Sequence, residues 1–268
     1  MELCEGSLKD YVEGKLDPRI PKDLLDDKIL IGQVALGLAY IHDKRIIHKD
    51  LKLENILLKH QSPRLILAKI ADFGFAKELK PGKLEFSVTK HPGTASYMAP
   101  ELLNAPDGAY PASCASDVYA FGITIARIVK KGEHPFSSKK ISQRRSMVNG
   151  EVPSNLEGLC WELQDLIPKL TDNDPGKRPE MVLVLRHPYF ALTNDRTKRH
   201  FAEQLWTDFS SILSEEDRRE VIQNIFSCKK FRDWYETFSK DKPDTDEEIA
   251  NKIGNNFRLF REVSKLQA

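Results

Sequence analysis

Apolar side chains recur at Leu25, Ile29, Ile31, Val34, Leu38 and Ile41, mostly three or four positions apart, which predicts a helix over Leu24 to His42 with one buried face. Two β-branched and apolar runs follow, "NILLK" and "LILAKIADFG", and read as short strands joined by a Pro-containing turn at Gln61 to Arg64. From Glu78 to Pro100 the chain is polar, punctuated by glycine and without a period. That stretch predicts a long loop, and loops of such length inside compact domains usually carry function.

After Glu101 the helical pattern returns. "SDVYAFGITIARIVKKG" is apolar enough for a central buried helix ending at Gly132, and further helices are expected over Gln143 to Gly150 and Leu159 to Leu170. "DNDPGKRPEM" reads as a turn, and "VLVLRHPYF" closes the compact part. From Asn194 onward the chain is more charged and aromatic, with amphipathic stretches at Phe201 to Leu213, Glu216 to Phe226 and Glu247 to Phe260. A boundary near Leu192 therefore separates residues 1–192 from an extension at 193–268.

Composition narrows the classes. With 268 residues, 40% apolar and 30% charged, the chain is long enough for a proper core and is not disordered over most of its length. Its 41 basic and 40 acidic residues leave a formal charge of +1, so no global pull toward nucleic acid or membrane exists. Cys4, Cys114, Cys160 and Cys228 form no CxxC pair, which disfavours a zinc site or a disulfide framework and suggests buried free thiols. The apolar stretch Ile29 to Ile41 is too short to span a bilayer, and "MELCEGSLKD" has no secretion-signal pattern. The cytosol is the expected location.

One string concentrates chemistry. In "HKDLKLEN", His48 to Asn55, Asp50 can take a proton from a hydroxyl, Lys52 can reach a transferring phosphate, and Asn55 can offer an amide oxygen to a metal. "ADFG" adds the carboxylate of Asp72 on the turn after a strand. An acid-base residue, a cation and oxygen ligands for Mg²⁺ are what phosphoryl transfer requires.

These strings resemble the protein-kinase signature, with its catalytic loop H-R-D-L-x-x-x-N and metal motif D-F-G. The resemblance continues in order through "GTASYMAPE" (Gly93 to Glu101), similar to the substrate-facing loop, then Asp117 in "SDVYAFG" and Arg178 in "GKRP". It implies Asp50 and Lys52 as catalytic residues, and Lys52, Asn55 and Asp72 on Mg-ATP, with Asn55 and Asp72 as the Mg²⁺ ligands. The hinge-like start, "MELCEGSLKDYV", implies backbone groups of Glu2 and Cys4 against the adenine. Asp117 is implied to anchor the catalytic loop, and Glu101 to pair with Arg178. His48 is expected to orient the loop, while Lys52 and Thr94 resemble the serine/threonine class. Ser87, Thr89 and Ser96 are loop hydroxyls open to phosphorylation.

Two departures stand out. Lys49 replaces the usual arginine and so lacks a bidentate fork. The 268 residues also contain no glycine-rich loop, strand lysine or helix glutamate for the nucleotide's phosphates, so the isolated chain is expected to be nearly inactive.

Among kinases, "HKDL", "GEHPF", "DPGKRP" and "HPYF" look most like the branch of the inositol-requiring enzyme of the unfolded protein response and ribonuclease L, in which a kinase-extension nuclease follows the kinase. The segments "FAEQLWTDFSSILSEED", "FRDWYE" and "IGNNFRLFREV" resemble that extension. The family's catalytic histidine would fall four residues after Asn255, where Leu259 stands, and the last histidine is His200. Near-neutral acid-base cleavage of RNA is therefore not expected.

The expectation is a mainly α protein, a kinase hinge and C-lobe followed by a helical extension that resembles a truncated nuclease domain. It would be a serine/threonine kinase acting on a protein substrate or a second copy of itself, with a homodimer through kinase and tail. The alternatives are a non-catalytic interaction module and a nuclease-family protein with a degenerate site. If the chain is a fragment, it would be the cytosolic part of an ER-membrane protein.

Overall fold

The computed structural model describes residues 3–190 except 63–64, 81, 84, 89–92, 107–109, 138 and 155. The expected extension helices, Glu2, Thr89, Cys228 and Leu259 lie outside the described residues. Two compact units divide the chain, Met1–Leu185 and Arg186–Ala268, and the first carries all the elements that follow.

Strand β1 (Gly6–Ser7) leads directly into α1 (Leu8–Val12), where Ser7 and Asp10 form a reciprocal capping box. Helix α2 (Asp27–Asp43) begins later than the apolar spacing suggests, because Asp26 caps it by accepting the Ile29 N–H at 3.0 Å. Strand β2 (Ile46–Ile47) follows, then β3 (Ile56–Ser62) and β4 (Leu65–Ile70), as the two apolar runs predict. These two pair antiparallel, with Ile56 opposite Ile70 and Leu58 opposite Ala68, and β1 adds to the free edge of β3.

The one amide inside the apolar run of α2 has a use. Gln33 donates to the Ile66 carbonyl at 2.9 Å and accepts the Ala68 N–H, so it joins α2 to β4 while satisfying its own buried amide.

The stretch from Glu78 to Pro100 departs from its reading as a continuous loop. It starts in β5 (Lys77–Glu78), which pairs with β2, and contains β6 (Glu85–Val88) and a 3-10 turn at Ala95–Tyr97. Strand β6 pairs with β7 (Tyr110–Ser113), beyond the short α3 (Pro100–Leu103). A two-stranded ladder whose partner lies beyond α3, with Glu85 opposite Ser113 and Val88 opposite Tyr110, leaves no local period to read.

Helix α4 (Cys114–Val129) is buried on nearly every side, as its mostly apolar sequence requires, and its polar Ser116, Asp117 and Thr124 are buried with hydrogen-bond partners. Val118, Phe121, Ile123, Ile125 and Ile128 form the centre of the core with Leu30, Ile31, Val34 and Leu38 of α2. Each such side chain contributes roughly 1.5–3 kcal/mol. Gly122 lets α4 approach α6 (Trp161–Leu170), since a Cβ there would sit 2.9 Å from Leu170 Cβ and 2.7 Å from Thr171 Cγ2. Helices α5 (Lys140–Val148) and α7 (Met181–Val184) complete the unit.

The cysteines correct one expectation. Cys4, Cys114 and Cys160 are free thiols, but Cys160 is exposed at the N-cap of α6 and the other two are only half-buried. Among the described residues no helix is long and apolar enough to cross a membrane.

Candidate active site

The site grows from one buried carboxylate. Asp117, in the first turn of α4, accepts the His48 N–H at 2.7 Å, the Lys49 N–H at 2.9 Å and His42 Nε2–H at 3.0 Å. Two consecutive backbone donors aimed at one carboxylate force the chain to turn, and Lys49 takes the left-handed conformation with φ 68. A non-glycine residue there is strained by about 1–3 kcal/mol, so the Asp117 contacts over-determine it. Burial, reinforced by the nearby Lys77, lowers the pKa of the Lys49 amine from its ordinary value.

His48 locks the next turn. Its Nδ1 accepts the Asp50 N–H at 3.3 Å, so the proton resides on Nε2, which donates to the Ala71 carbonyl at 2.9 Å. The Phe73 ring meets the imidazole edge-on, centroids 5.0 Å apart. The histidine therefore orients the loop, as expected, and ties it to the residue just before Asp72.

Asp50 projects from this frame and is itself held on three sides. Lys52 Nζ lies 2.6 Å from Asp50 Oδ2, Asn55 Nδ2 donates to the same oxygen at 3.0 Å and to the Asp50 carbonyl at 2.9 Å, and Thr94 Oγ1 donates to Oδ1 at 2.9 Å. Lys52 also donates to Thr94 Oγ1 at 3.0 Å. The sequence places Asp50, Lys52 and Asn55 within one turn; the structure adds Thr94 from 42 residues further on. Gly93 makes that approach tolerable, because at φ 74 it stands where a Cβ would strike the Lys49 carbonyl oxygen.

Asn55 faces two ways. Its amide nitrogen serves Asp50, which directs Oδ1 elsewhere, and its carbonyl accepts the Ala71 N–H at 2.8 Å. Asp72 follows with φ 61, its carboxylate accepting the Gly74 N–H at 3.3 Å and standing exposed. Among the described residues no group of three or more His, Cys, Asp or Glu forms a self-sufficient metal site. Asn55 Oδ1 and the exposed Asp72 carboxylate are hard oxygen donors that could hold Mg²⁺, an ion that completes its shell with water and phosphate oxygens. Cys4 stands half-buried beside the Glu5 N–H to Leu58 carbonyl bond, which fixes the start of the chain on β3.

The Gly93 to Glu101 segment is anchored from behind. Arg178 grips Glu101 through two bonds of 2.8 and 2.7 Å, donates to the carbonyls of Asp172 and Ala115, and stacks over the Tyr119 ring. The Tyr97 hydroxyl accepts from Arg127 at 2.7 Å and from the Leu53 N–H at 3.4 Å, and burial pushes its pKa up to about 12.

Two residues that sequence reasoning passed over belong to this framework. His134 donates from Nε2 to the Ser96 carbonyl at 2.9 Å, and burial holds its pKa at about 4. Arg45 donates to the carbonyls of Leu79, Lys80 and Lys83 at 2.8 to 3.3 Å, pinning the segment after β5. Neither has a motif; "GEHPF" served only as a resemblance, and an arginine bonded to carbonyls leaves no sequence pattern.

Comparison with known proteins agrees with this frame. The protein kinase domain family matches residues 1–190. Human serine/threonine-protein kinase/endoribonuclease IRE2 is 32% identical over 248 residues, 89% of this chain and 26% of that protein. The serine/threonine-protein kinase/endoribonuclease ire-1 of Caenorhabditis elegans is 33% identical, covering 84% of this chain and 23% of its own length. Mitogen-activated protein kinase kinase kinase 1a of Physcomitrium patens is 34% identical over 75% of this chain. The chain thus spans about a quarter of the length of these relatives. With the ordered motifs, the catalytic-loop frame and the domain-wide match in agreement, the chain belongs to the protein kinase family and is, by family, a serine/threonine kinase.

Proposed function

We propose that this chain carries the catalytic floor for transfer of the γ-phosphoryl group of ATP to serine or threonine hydroxyls of a protein, a second copy of the chain included. Transfer by the isolated chain is slow but measurable, because its 268 residues hold no glycine-rich loop, strand lysine or helix glutamate for the phosphates. The observation that carries the reading is the Asp50 carboxylate, held by Lys52, Asn55 and Thr94 in a frame anchored on Asp117. Asp50 accepts the proton of the attacking hydroxyl. Lys52, already charge-paired with Asp50, balances the charge on the transferring phosphoryl group, and Thr94 keeps both side chains in register. Where Mg²⁺ binds, Asn55 and Asp72 would hold it, and its chemistry there is neutralisation of phosphate charge. Backbone groups at Glu2 and Cys4 would meet the adenine.

The division of labour follows residues 1–192 as catalytic part and 193–268 as extension. The endoribonuclease named in two relatives is not carried over, because residues 201–268 contain no histidine. The compartment we infer is the cytosol; four scattered cysteines with no CxxC pair support it.

A binding-only module is the second reading, favoured by the engagement of both Asp50 oxygens by the chain's own side chains. Transfer of labelled γ-phosphate to a serine peptide separates the two. The kinase reading expects transfer that Asp50→Asn lowers about 10²- to 10⁴-fold with Mg-ATP binding retained. Nucleotide binding without any transfer by the unaltered chain would establish the module instead.

A further inference from the structure

The chain is nearly neutral overall, yet its basic residues are not evenly spread. Lys139, Lys140, Arg144 and Arg145 fall within seven positions, and no acid occurs between Glu133 and Glu151. This is helix α5 with its N-cap, a helix with Met147 buried on one side and Lys139, Arg144 and Arg145 exposed to solvent. Among the described residues, none of these three side chains pairs with a carboxylate. Solvent-facing cations on helices commonly have acids three or four positions away to neutralise them; α5 has none.

The location gives the charge a meaning. Helix α5 packs on the Ala95–Tyr97 turn and on α3. That turn follows Thr94, which touches Asp50, and His134 fastens its Ser96 carbonyl from the loop that precedes α5. The one acid these two neighbours contribute, Glu101, is taken by Arg178. Helix α5 thus packs directly on the turn that follows Thr94, the residue that touches the Asp50 carboxylate.

We infer that the exposed face of α5 docks an acidic segment of the protein that presents the acceptor hydroxyl. The inference rests on the kinase reading for the identity of that protein. Single-stranded nucleic acid is the other polyanion to weigh, and it is disfavoured here because binding sites for it interleave cations with exposed aromatic rings. The exposed large apolar side chains among the described residues are Leu3, Tyr40, Phe73, Phe75, Val152, Trp161 and Leu183, and none lies between 127 and 150.

Fluorescence anisotropy on the full chain tests this with three labelled probes: a serine-containing peptide rich in glutamate, its glutamine counterpart, and single-stranded oligouridylate of matched charge. The glutamate peptide is expected to bind and the glutamine peptide not. Raising the salt well above physiological strength, or introducing Arg144→Glu with Arg145→Glu, weakens that binding about tenfold or more. Both arginines are exposed, so the unfolding midpoint of the double variant should match the unaltered chain and so report an intact fold. Equal binding of both peptides, binding indifferent to charge reversal, or tighter binding of oligouridylate would each overturn the inference. Peptide binding needs no phosphoryl transfer, so a chain that binds the glutamate peptide but transfers nothing refutes the kinase reading alone. Where transfer is measurable, the double variant raises KM for the glutamate peptide and leaves kcat unchanged.

Discussion

The catalytic loop and the metal turn are neighbours built on opposite terms. His48, Asp50 and Asn55 are 0%, 5% and 7% exposed, and Asp117, the Ala71 carbonyl and the Asp50 carboxylate hold them by hydrogen bonds. One residue beyond the Ala71 carbonyl that His48 holds, the chain turns outward, and Phe73 and Phe75 are 45% and 49% exposed. The loop is preorganised by buried partners, which is where electrostatic catalysis gains most. The turn keeps its carboxylate in solvent and its rings half-covered. One half is held by buried partners of its own chain, while the other leaves a carboxylate and two aromatic rings open to solvent.

The largest expected effect breaks the buried half. Arg178→Ala leaves Glu101 without its partner and removes the hydrogen bonds to the Asp172 and Ala115 carbonyls. A loss of about 3–5 kcal/mol is expected, read as a fall in the denaturant midpoint at unchanged slope. A loss below about 1 kcal/mol would mean that the buried frame is not what holds the segment.

Acid sharpens the same contrast. The His134 pKa is about 4 in the fold against 6.5 for the free side chain, so the unfolded chain binds the proton first. Stability from this group is intact above pH 6.5, falls as pH drops from 6.5 to 4, and changes no further below. The full loss is about 3 kcal/mol. His134→Gln, which can still donate to the Ser96 carbonyl, should flatten the decline over that window, and an identical pH profile for both proteins would remove His134 from the account.

How much of this could be read from the letters follows the same division. Asp50, Asn55, Asp72, Glu101, Asp117 and Arg178 announce themselves because each sits in a short string whose spacing the chemistry constrains. Helix α4 is legible because it is mostly apolar over four turns, and β3 with β4 because their partners are adjacent. Strand β6 is not legible, since its ladder depends on β7 across a long separation. Arg45 was invisible, and His134 stood in "GEHPF" without an assigned role, for a related reason: each bonds main-chain carbonyls, and a carbonyl carries no residue identity. The exposure of Cys160 follows from its place at a helix N-cap, a boundary the apolar spacing put two residues too early.

The claim that loop and turn form one nucleotide-binding floor is tested most directly by the unfolding midpoint with and without Mg-ATP, in the unaltered chain and in Asp72→Ala. Ligand at about 100 times its dissociation constant should stabilise the unaltered chain by about 2.7 kcal/mol. Asp72→Ala, compared with its own unliganded midpoint, should lose the shift. No shift in the unaltered chain, or an equal shift in Asp72→Ala, would contradict the account.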